Sequence, residues 1–253
     1  MSNPVVTVIT VCRSAKNALL RTEASVRSQA CDGLEWIIVD GHSSDGTKSH
    51  LESLRDSWIH WISEPDNGIY DAMNKGIRMA KGEWLWFLNA GDVFHEQTAV
   101  DQVLKAREDA DICFGEILIE EANGKALGLR SEVTPHKLPD KLEKYQFRHG
   151  MVVSHQAFVV RSRIAPLYNS DQYRFSADLD WMLNILTDRR ESQCLGILAR
   201  MPRSGATKDN WRQSQWERFL ILCHHFGILP TVLGHVMITL RRVAFLFKTR
   251  RLR

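Results

Sequence analysis

Apolar positions fall in blocks along the first ninety residues. Val5 to Val11 is a short β-branched run, and Leu34 to Val39 a second that ends at Asp40. Trp58 to Ile62 forms a third, and Trp84 to Leu88 a fourth with no polar residue in it. Helical patterns lie between them. Asn17 to about Ala30 is one. Ser43-Ser44-Asp45-Gly46-Thr47 supplies turn and N-cap chemistry for a second, which ends near Leu54. The third has the clearest period: Ile69, Ala72, Met73, Gly76, Ile77 and Ala80 follow i, i+3, i+4, i+7, i+8, i+11. Near-continuous apolar strands separated by helices indicate a mostly parallel sheet covered on both faces, a doubly wound α/β domain.

The second half is less regular. Ile112 to Ile119 and Ala157 to Val160 read as strands, Leu179, Met182, Leu183 and Leu186 as one helical face, and residues 120–150 as loops. Phe219 to Leu240 is largely apolar, but His224, His225, Pro230 and His235 interrupt it, and a spanning helix needs about 20 predominantly apolar residues. Val243, Phe245, Leu246 and Phe247 then alternate with basic residues. The expectation is a pair of amphipathic helices lying in a membrane interface; a helix packed on the domain or a dimer contact is the alternative. The chain divides into 1–210, with a nucleotide-binding half (1–95) and an acceptor half (96–210), and a basic helical tail (211–253).

Charge sharpens this division. The 253 residues carry a formal net charge of only +3, yet from Arg218 onward there are seven Lys/Arg and no acid. The first 217 residues hold 26 bases against 30 acids. An acidic body excludes nucleic-acid binding over the whole surface, and the basic tail suits an anionic membrane. Five scattered cysteines without a C-x-x-C pattern form neither a disulfide framework nor a zinc site, and fit a reducing cytoplasm. Met1-Ser2-Asn3-Pro4 has no basic region before its apolar run, so a secretory signal is not expected.

Ligands of open α/β sheets bind beyond the carboxyl ends of the strands, which directs attention to polar residues there. Strand two ends in Asp40-Gly41: a carboxylate able to accept from a base or a ribose, or else a helix-capping turn. Strand four ends in Asn89-Ala90-Gly91-Asp92, where an acid can hold a divalent cation against a diphosphate, or make an ordinary turn. Between strand three and its helix lies Glu64-Pro65-Asp66-Asn67-Gly68-Ile69-Tyr70-Asp71-Ala72-Met73-Asn74-Lys75-Gly76, with more polar groups than a helix cap needs.

In combination, Val39 to Thr47, Glu64 to Gly76 and Phe87 to Asp92 resemble family 2 glycosyltransferases of the GT-A fold, a Rossmann-like arrangement. The likeness is to small bacterial enzymes of colanic acid and related surface-polysaccharide assembly, and is strong over roughly residues 5–95. It implies that Asp40 contacts the nucleotide, that Asp71 and Asn89 line the donor pocket, and that Asp92 is the metal-binding acid, with Mn or Mg as cofactor. Asn89 and Gly91 stand where many relatives have acids, which implies weaker or more water-filled coordination. Ser176-Ala177-Asp178-Leu179-Asp180-Trp181 resembles the segment that supplies the catalytic base, matched by Asp178, with Asp180 as the competing candidate and helix capping by Asp178 as the structural alternative. Ser154-His155-Gln156-Ala157 resembles a segment whose His and Gln border the acceptor site; a lone His beside a strand is otherwise structural. Ser204-Gly205-Ala206-Thr207 stands where a diphosphate-side loop would. Gln215-Trp216-Glu217-Arg218-Phe219 is close to the Gln-x-x-Arg-Trp of processive synthases, and reads here as a chance near-match on an amphipathic helix.

The resemblance implies an inverting transfer of a single sugar from a nucleotide-diphosphate sugar to a growing, lipid-linked glycan. It implies a cytoplasmic protein, peripheral on the inner face of the membrane. Two rivals stand beside it. A nucleotidyltransferase would share the sheet but would show a glycine-rich phosphate loop where this chain has Thr10-Val11-Cys12-Arg13-Ser14-Ala15-Lys16. A non-catalytic nucleotide-sugar-binding partner of a membrane complex fits the missing acids around Asn89.

Overall fold

The computed structural model describes residues 5–29, 31–106, 108–121, 123–203 and 210–250. Its elements begin with β1 (Val6–Cys12), α1 (Lys16–Arg27), β2 (Leu34–Asp40), α2 (Thr47–Leu51), β3 (Ile59–Ser63), α3 (Ile69–Met79) and β4 (Trp84–Phe87). Then come β5 (Val93–Phe94), α4 (Ala99–Leu104), β6 (Ile112–Glu120), β7 (Ala126–Leu129), α5 (Arg130–Val133) and β8 (Phe158–Arg161). The chain continues through α6 (Ala177–Ile185), β9 (Ser192–Pro202), α7 (Trp211–Phe226) and α8 (Ile228–Arg250). Short 3-10 turns lie at Lys144–His149, His155–Ala157 and Ser162–Ile164.

The strands form one sheet in the order β3-β2-β1-β4-β8-β6-β9-β5, with β7 also pairing to β6. β3, β2, β1 and β4 run parallel, and Val6 of β1 faces Leu34 on one side and Trp84 on the other. Every residue of β1 and β4 is buried, as unbroken apolar runs require when helices cover both faces. Beyond β4 the sheet turns mixed. β4–β8, β8–β6, β6–β7 and β9–β5 are antiparallel, whereas β6–β9 is parallel. The doubly wound pattern therefore describes the chain as far as β4, and the second half adds antiparallel strands to the same sheet. Residues 120–150, expected as loops, contain β7, α5 and a 3-10 turn.

Trp36, Trp86 and Trp181 are fully buried with Phe87, Phe114, Phe147 and Phe158. Each indole N–H has an acceptor: Thr10 Oγ1 at 2.9 Å, the Gln156 carbonyl at 2.9 Å and the Pro166 carbonyl at 2.7 Å, respectively. An unpaired buried donor costs about 1–3 kcal/mol, so these partners let large rings stabilise the core without that loss.

The tail helices attach differently. α7 docks by polar contacts: Glu217 accepts from the N–H groups of Arg174 (3.1 Å) and Phe175 (2.7 Å), and the Ser214 and Ser176 hydroxyls are 2.9 Å apart. α8 rests on the Lys144–His149 turn at Gly234, where a Cβ would lie 2.4 Å from the Arg148 carbonyl oxygen. Its other side leaves Leu229, Leu233, Val236, Leu240 and Phe247 exposed, Leu229 at 70%. Ile228–Phe245 is long and apolar enough to cross a membrane by length and composition.

Candidate active site

The loops following β1, β2 and β3 are tied together at the carboxyl edge of the sheet. Ser14 N–H donates to Ser43 Oγ (2.6 Å) and Lys16 N–H to Asp45 Oδ2 (2.9 Å). Two non-glycine residues there hold positive φ, Ser14 at 48° and His42 at 59°, a strain that local hydrogen bonds must support. Asp40 supplies that support. Its fully buried carboxylate accepts from Ser43 N–H (3.0 Å), the Ser43 hydroxyl and the Ser63 hydroxyl (2.7 Å). Its oxygens are engaged inside the protein, where Asp40 holds the loops that shape the crevice. Gly41 lets Asp66 come close beside it: a Cβ would lie 2.2 Å from Asp66 Oδ2, so that side chain would have to move. Asp71 accepts from Asn67 N–H (3.0 Å) and so holds the entry to α3. Both acids thus hold loops at the crevice, and neither lines the cavity that contains Asp178.

That cavity, about 560 Å³, opens next to the crevice and brings together Tyr70, Asn89, His155, Gln156, Asp178 and Arg218. Among the described residues Asp178 is its sole lining carboxylate. It sits in the first turn of α6, partly exposed, where Oδ1 accepts from the Tyr70 hydroxyl (3.0 Å) and from Leu179 N–H (2.9 Å). Burial, with the Asp178 charge next, pushes the Tyr70 phenol well above its usual range, so it remains a donor. Asp180, two positions on, points elsewhere: it is 4% exposed and held by His225 Nε2 (2.8 Å) and Asn184 Nδ2 (3.1 Å). Geometry therefore separates the two candidates, with Asp178 facing the cavity.

His155 is 5% exposed, with Nε2 2.6 Å from the Tyr168 hydroxyl and its ring against Phe87. Burial lowers its pKa to about 4, so at neutral pH it is an uncharged hydrogen-bonding group. Gln156 stands between the cavity and Asp92, donating from Nε2 to Asp92 Oδ2 (3.1 Å). Asp92 is 4% exposed, and burial raises its pKa to about 7. Asn89 Oδ1, in the same turn, is buried without a hydrogen-bond partner. Two oxygens that both lack a positive partner fit a small divalent cation completed by phosphates and water. They do not make a protein-only cage: among the described residues, no group of three or more His, Cys, Asp or Glu could hold a metal.

Several lining residues escaped the sequence reading. Tyr70 lies inside a quoted segment, but nothing in its spacing announces that it meets Asp178, 108 positions away. Arg130 carries no sequence signal; it donates to the Val152 (3.0 Å) and Met151 carbonyls at the cavity wall. Gln215 and Arg218 both line the cavity, so the near-match taken for coincidence places its two polar residues beside Asp178. Arg218 Nε is buried there without a partner. The Ser204–Thr207 loop lies outside the described residues.

Comparison with known proteins agrees with this arrangement. The family model for glycosyl transferase family 2 matches residues 7–165. The chain is 35% identical over 189 residues to the uncharacterized glycosyltransferase Rv1514c of Mycobacterium tuberculosis, covering 72% of this chain and 69% of that one. Among solved structures, S. aureus TarS 1–349 in complex with UDP-GlcNAc superposes with a TM-score of 0.66 at 14% identity, over 95% of this chain and 73% of that chain. The mannosyltransferase PcManGT of Pyrobaculum calidifontis, in complex with GDP-Man and Mn2+, gives 0.63 at 14% identity, over 100% and 81%. At such identities the structural likeness speaks for the fold, and the family match and the sequence relative speak for the activity. The chain belongs to glycosyl transferase family 2 and is a glycosyltransferase of the GT-A fold.

Proposed function

We propose that the enzyme moves one sugar, with inversion, from a nucleotide-diphosphate sugar to a growing lipid-linked surface glycan. The observation that carries this reading is Asp178: a single, partly exposed carboxylate in the cavity, oriented by Tyr70. It takes the proton of the acceptor hydroxyl as that oxygen bonds to the anomeric carbon. The bond from that carbon to the nucleoside diphosphate breaks on the opposite face, which inverts the centre. The nucleotide lies over the crevice whose loops Asp40 and Asp71 hold, and His155 and Gln156 border the acceptor. A bound Mn or Mg, held by Asp92 and Asn89, would neutralise charge on the departing diphosphate. Positioning of donor and acceptor in one cavity supplies much of the remaining barrier reduction.

The same reading places the protein on the cytoplasmic face of the membrane through α8. Gly234 and His235 of that helix pack on the domain, at the Arg148 carbonyl and the Phe219 ring, while Leu229, Leu233, Val236 and Leu240 face outward. A helix with one side committed to protein suits an interface better than a span. All five cysteines are free, in keeping with a reducing compartment.

The test begins with thermal stabilisation of the purified chain by a panel of nucleotide sugars, with and without Mn or Mg. The anomeric configuration of the product is then read by NMR. Retention refutes the mechanism. Donor binding with neither transfer nor slow hydrolysis favours the non-catalytic reading.

A further inference from the structure

A second cavity, about 430 Å³, lies between the segment around His136 and α8. Pro135 and His136 line both cavities, so the two share a wall. Lys137, His149, Arg241 and Phe245 complete the part that matters here. Among the described residues no carboxylate lines it, and Asp178 is the one acid lining its neighbour.

Positive charge gathers at this junction. Arg130, Arg241 and Arg218 all act on His136 and, after burial, drive its pKa to about 4. Among the described residues no acid forms an ion pair with Arg218 or Arg241. Arg218 Nε is buried and unpartnered. Arg130 has the Glu116 charge near it, but Arg218 and Arg241 do not share an acid among the described residues, and an anion between like charges lowers their repulsion. The anion must also suit its surroundings. Arg241 belongs to α8, whose outward face presents Leu233, Val236, Leu240 and Phe247. A phosphate attached to a long hydrocarbon meets both requirements, because its charge sits in the groove while its chain follows the apolar face into the membrane.

We infer that the groove between His136, Lys137 and Arg241 binds the phosphate of the lipid that carries the acceptor, with the attached glycan reaching through the shared wall to Asp178. The inference rests on the lipid-linked acceptor of the proposed function, and adds to it the place and the residues that recognise the carrier. Polar and apolar recognition are then divided between the groove and the outer face of α8, and the distance between them limits which hydroxyl meets the base.

Binding of the full-length chain to three kinds of vesicle tests this: neutral phosphatidylcholine alone, the same doped with a polyprenyl phosphate, and the same doped with phosphatidylglycerol to equal surface charge. The expected result is a preference for polyprenyl phosphate over phosphatidylglycerol that Arg241→Gln and Lys137→Gln each reduce about tenfold, the effect of losing one charge-assisted contact. Arg241 is exposed and in no ion pair, so its replacement should not disturb folding. Equal binding to the two anionic vesicles, or variants that lose as much binding to phosphatidylglycerol as to polyprenyl phosphate, overturns the inference and leaves general membrane attraction. Displacement from polyprenyl phosphate by inorganic pyrophosphate at comparable concentration also overturns it, since the groove then reads a free phosphate. Thermal stabilisation of the wild-type protein by nucleotide sugars is measured alongside. Its absence counts against the transferase mechanism, whereas its presence without lipid preference counts against the groove alone.

Discussion

Replacing Asp92 by asparagine should change how stability depends on pH, and the size of the change follows from burial. In the folded protein the carboxyl is 4% exposed and titrates near 7, while in the unfolded chain it titrates near 3.8. Below pH 4 both states hold the proton and Asp92 contributes no pH dependence. Between pH 4 and 7 the unfolded chain releases its proton and the folded one does not, so stability falls as pH rises, by about 1.4 kcal/mol per unit at the steepest. Across the window the loss is on the order of 4 kcal/mol, the free energy of ionising a desolvated acid without a cation. Asp92→Asn carries no such slope. Its amide can still accept from Gln156, but its N–H₂ must find a partner or cost about 1–3 kcal/mol, so the absolute offset between the proteins is ambiguous. The difference in slope is not. Denaturant unfolding of both proteins from pH 4 to 8, without divalent cations, reads it directly. Added Mn or Mg should restore stability to the wild type above pH 7 and leave Asp92→Asn unmoved. A wild-type minus variant difference that stays flat from pH 4 to 8 would refute the claim that Asp92 is a desolvated carboxylate awaiting a cation.

His155 should act in the opposite direction. Its pKa, near 4 when folded against 6.5 as the ordinary value, contributes stability above pH 6.5 that is lost as pH falls toward 4, about 3 kcal/mol in all; His155→Gln should remove that slope, and an unchanged slope would count against a buried neutral ring. Asp178→Asn should keep donor affinity and lose about 10²- to 10⁴-fold in turnover, whereas Asp180→Asn should cost stability through His225 and leave turnover per folded molecule intact; the reverse pattern would move the base to Asp180. Tyr70→Phe keeps the ring contact with Tyr168 but removes the hydrogen bond that orients Asp178, so kcat should fall about tenfold or more with donor KM unchanged, and equal kcat would make the contact merely structural. Deleting residues 241–253 should weaken binding to anionic vesicles far more than to neutral ones, and less at high salt, because each Lys or Arg near an anionic leaflet adds about 1 kcal/mol; equal binding by both proteins would remove the tail from membrane attachment.

The sequence by itself determined the parallel half of this protein. Apolar runs at Val5–Val11, Leu34–Val39 and Trp84–Leu88 read as strands of a covered parallel sheet and the period from Ile69 to Ala80 as a helix, and β1, β2, β4 and α3 stand at those places. Asp178 was marked by resemblance, because Ser176 to Trp181 matches in a few consecutive residues the segment that supplies the base in family 2 glycosyltransferases. The charge split between body and tail was legible for the same reason: it needs only counting. What the tertiary structure alone decided involves long separations or competing partners. β9 joins the sheet between β6 and β5 with a broken alternation that no local period announces. That Ser43 and Ser63 both donate to Asp40 is set by the packing of β2 against β3 and not by the residues around Asp40 alone. Tyr70 and Asp178 meet across 108 positions; Arg130 reaches the same cavity from α5, and Gln215 and Arg218 reach it from α7, which docks through Glu217. Spacing encodes which face a side chain takes on its own element; which groups from other elements reach that face is set by packing, and there the electrostatics of the site are made.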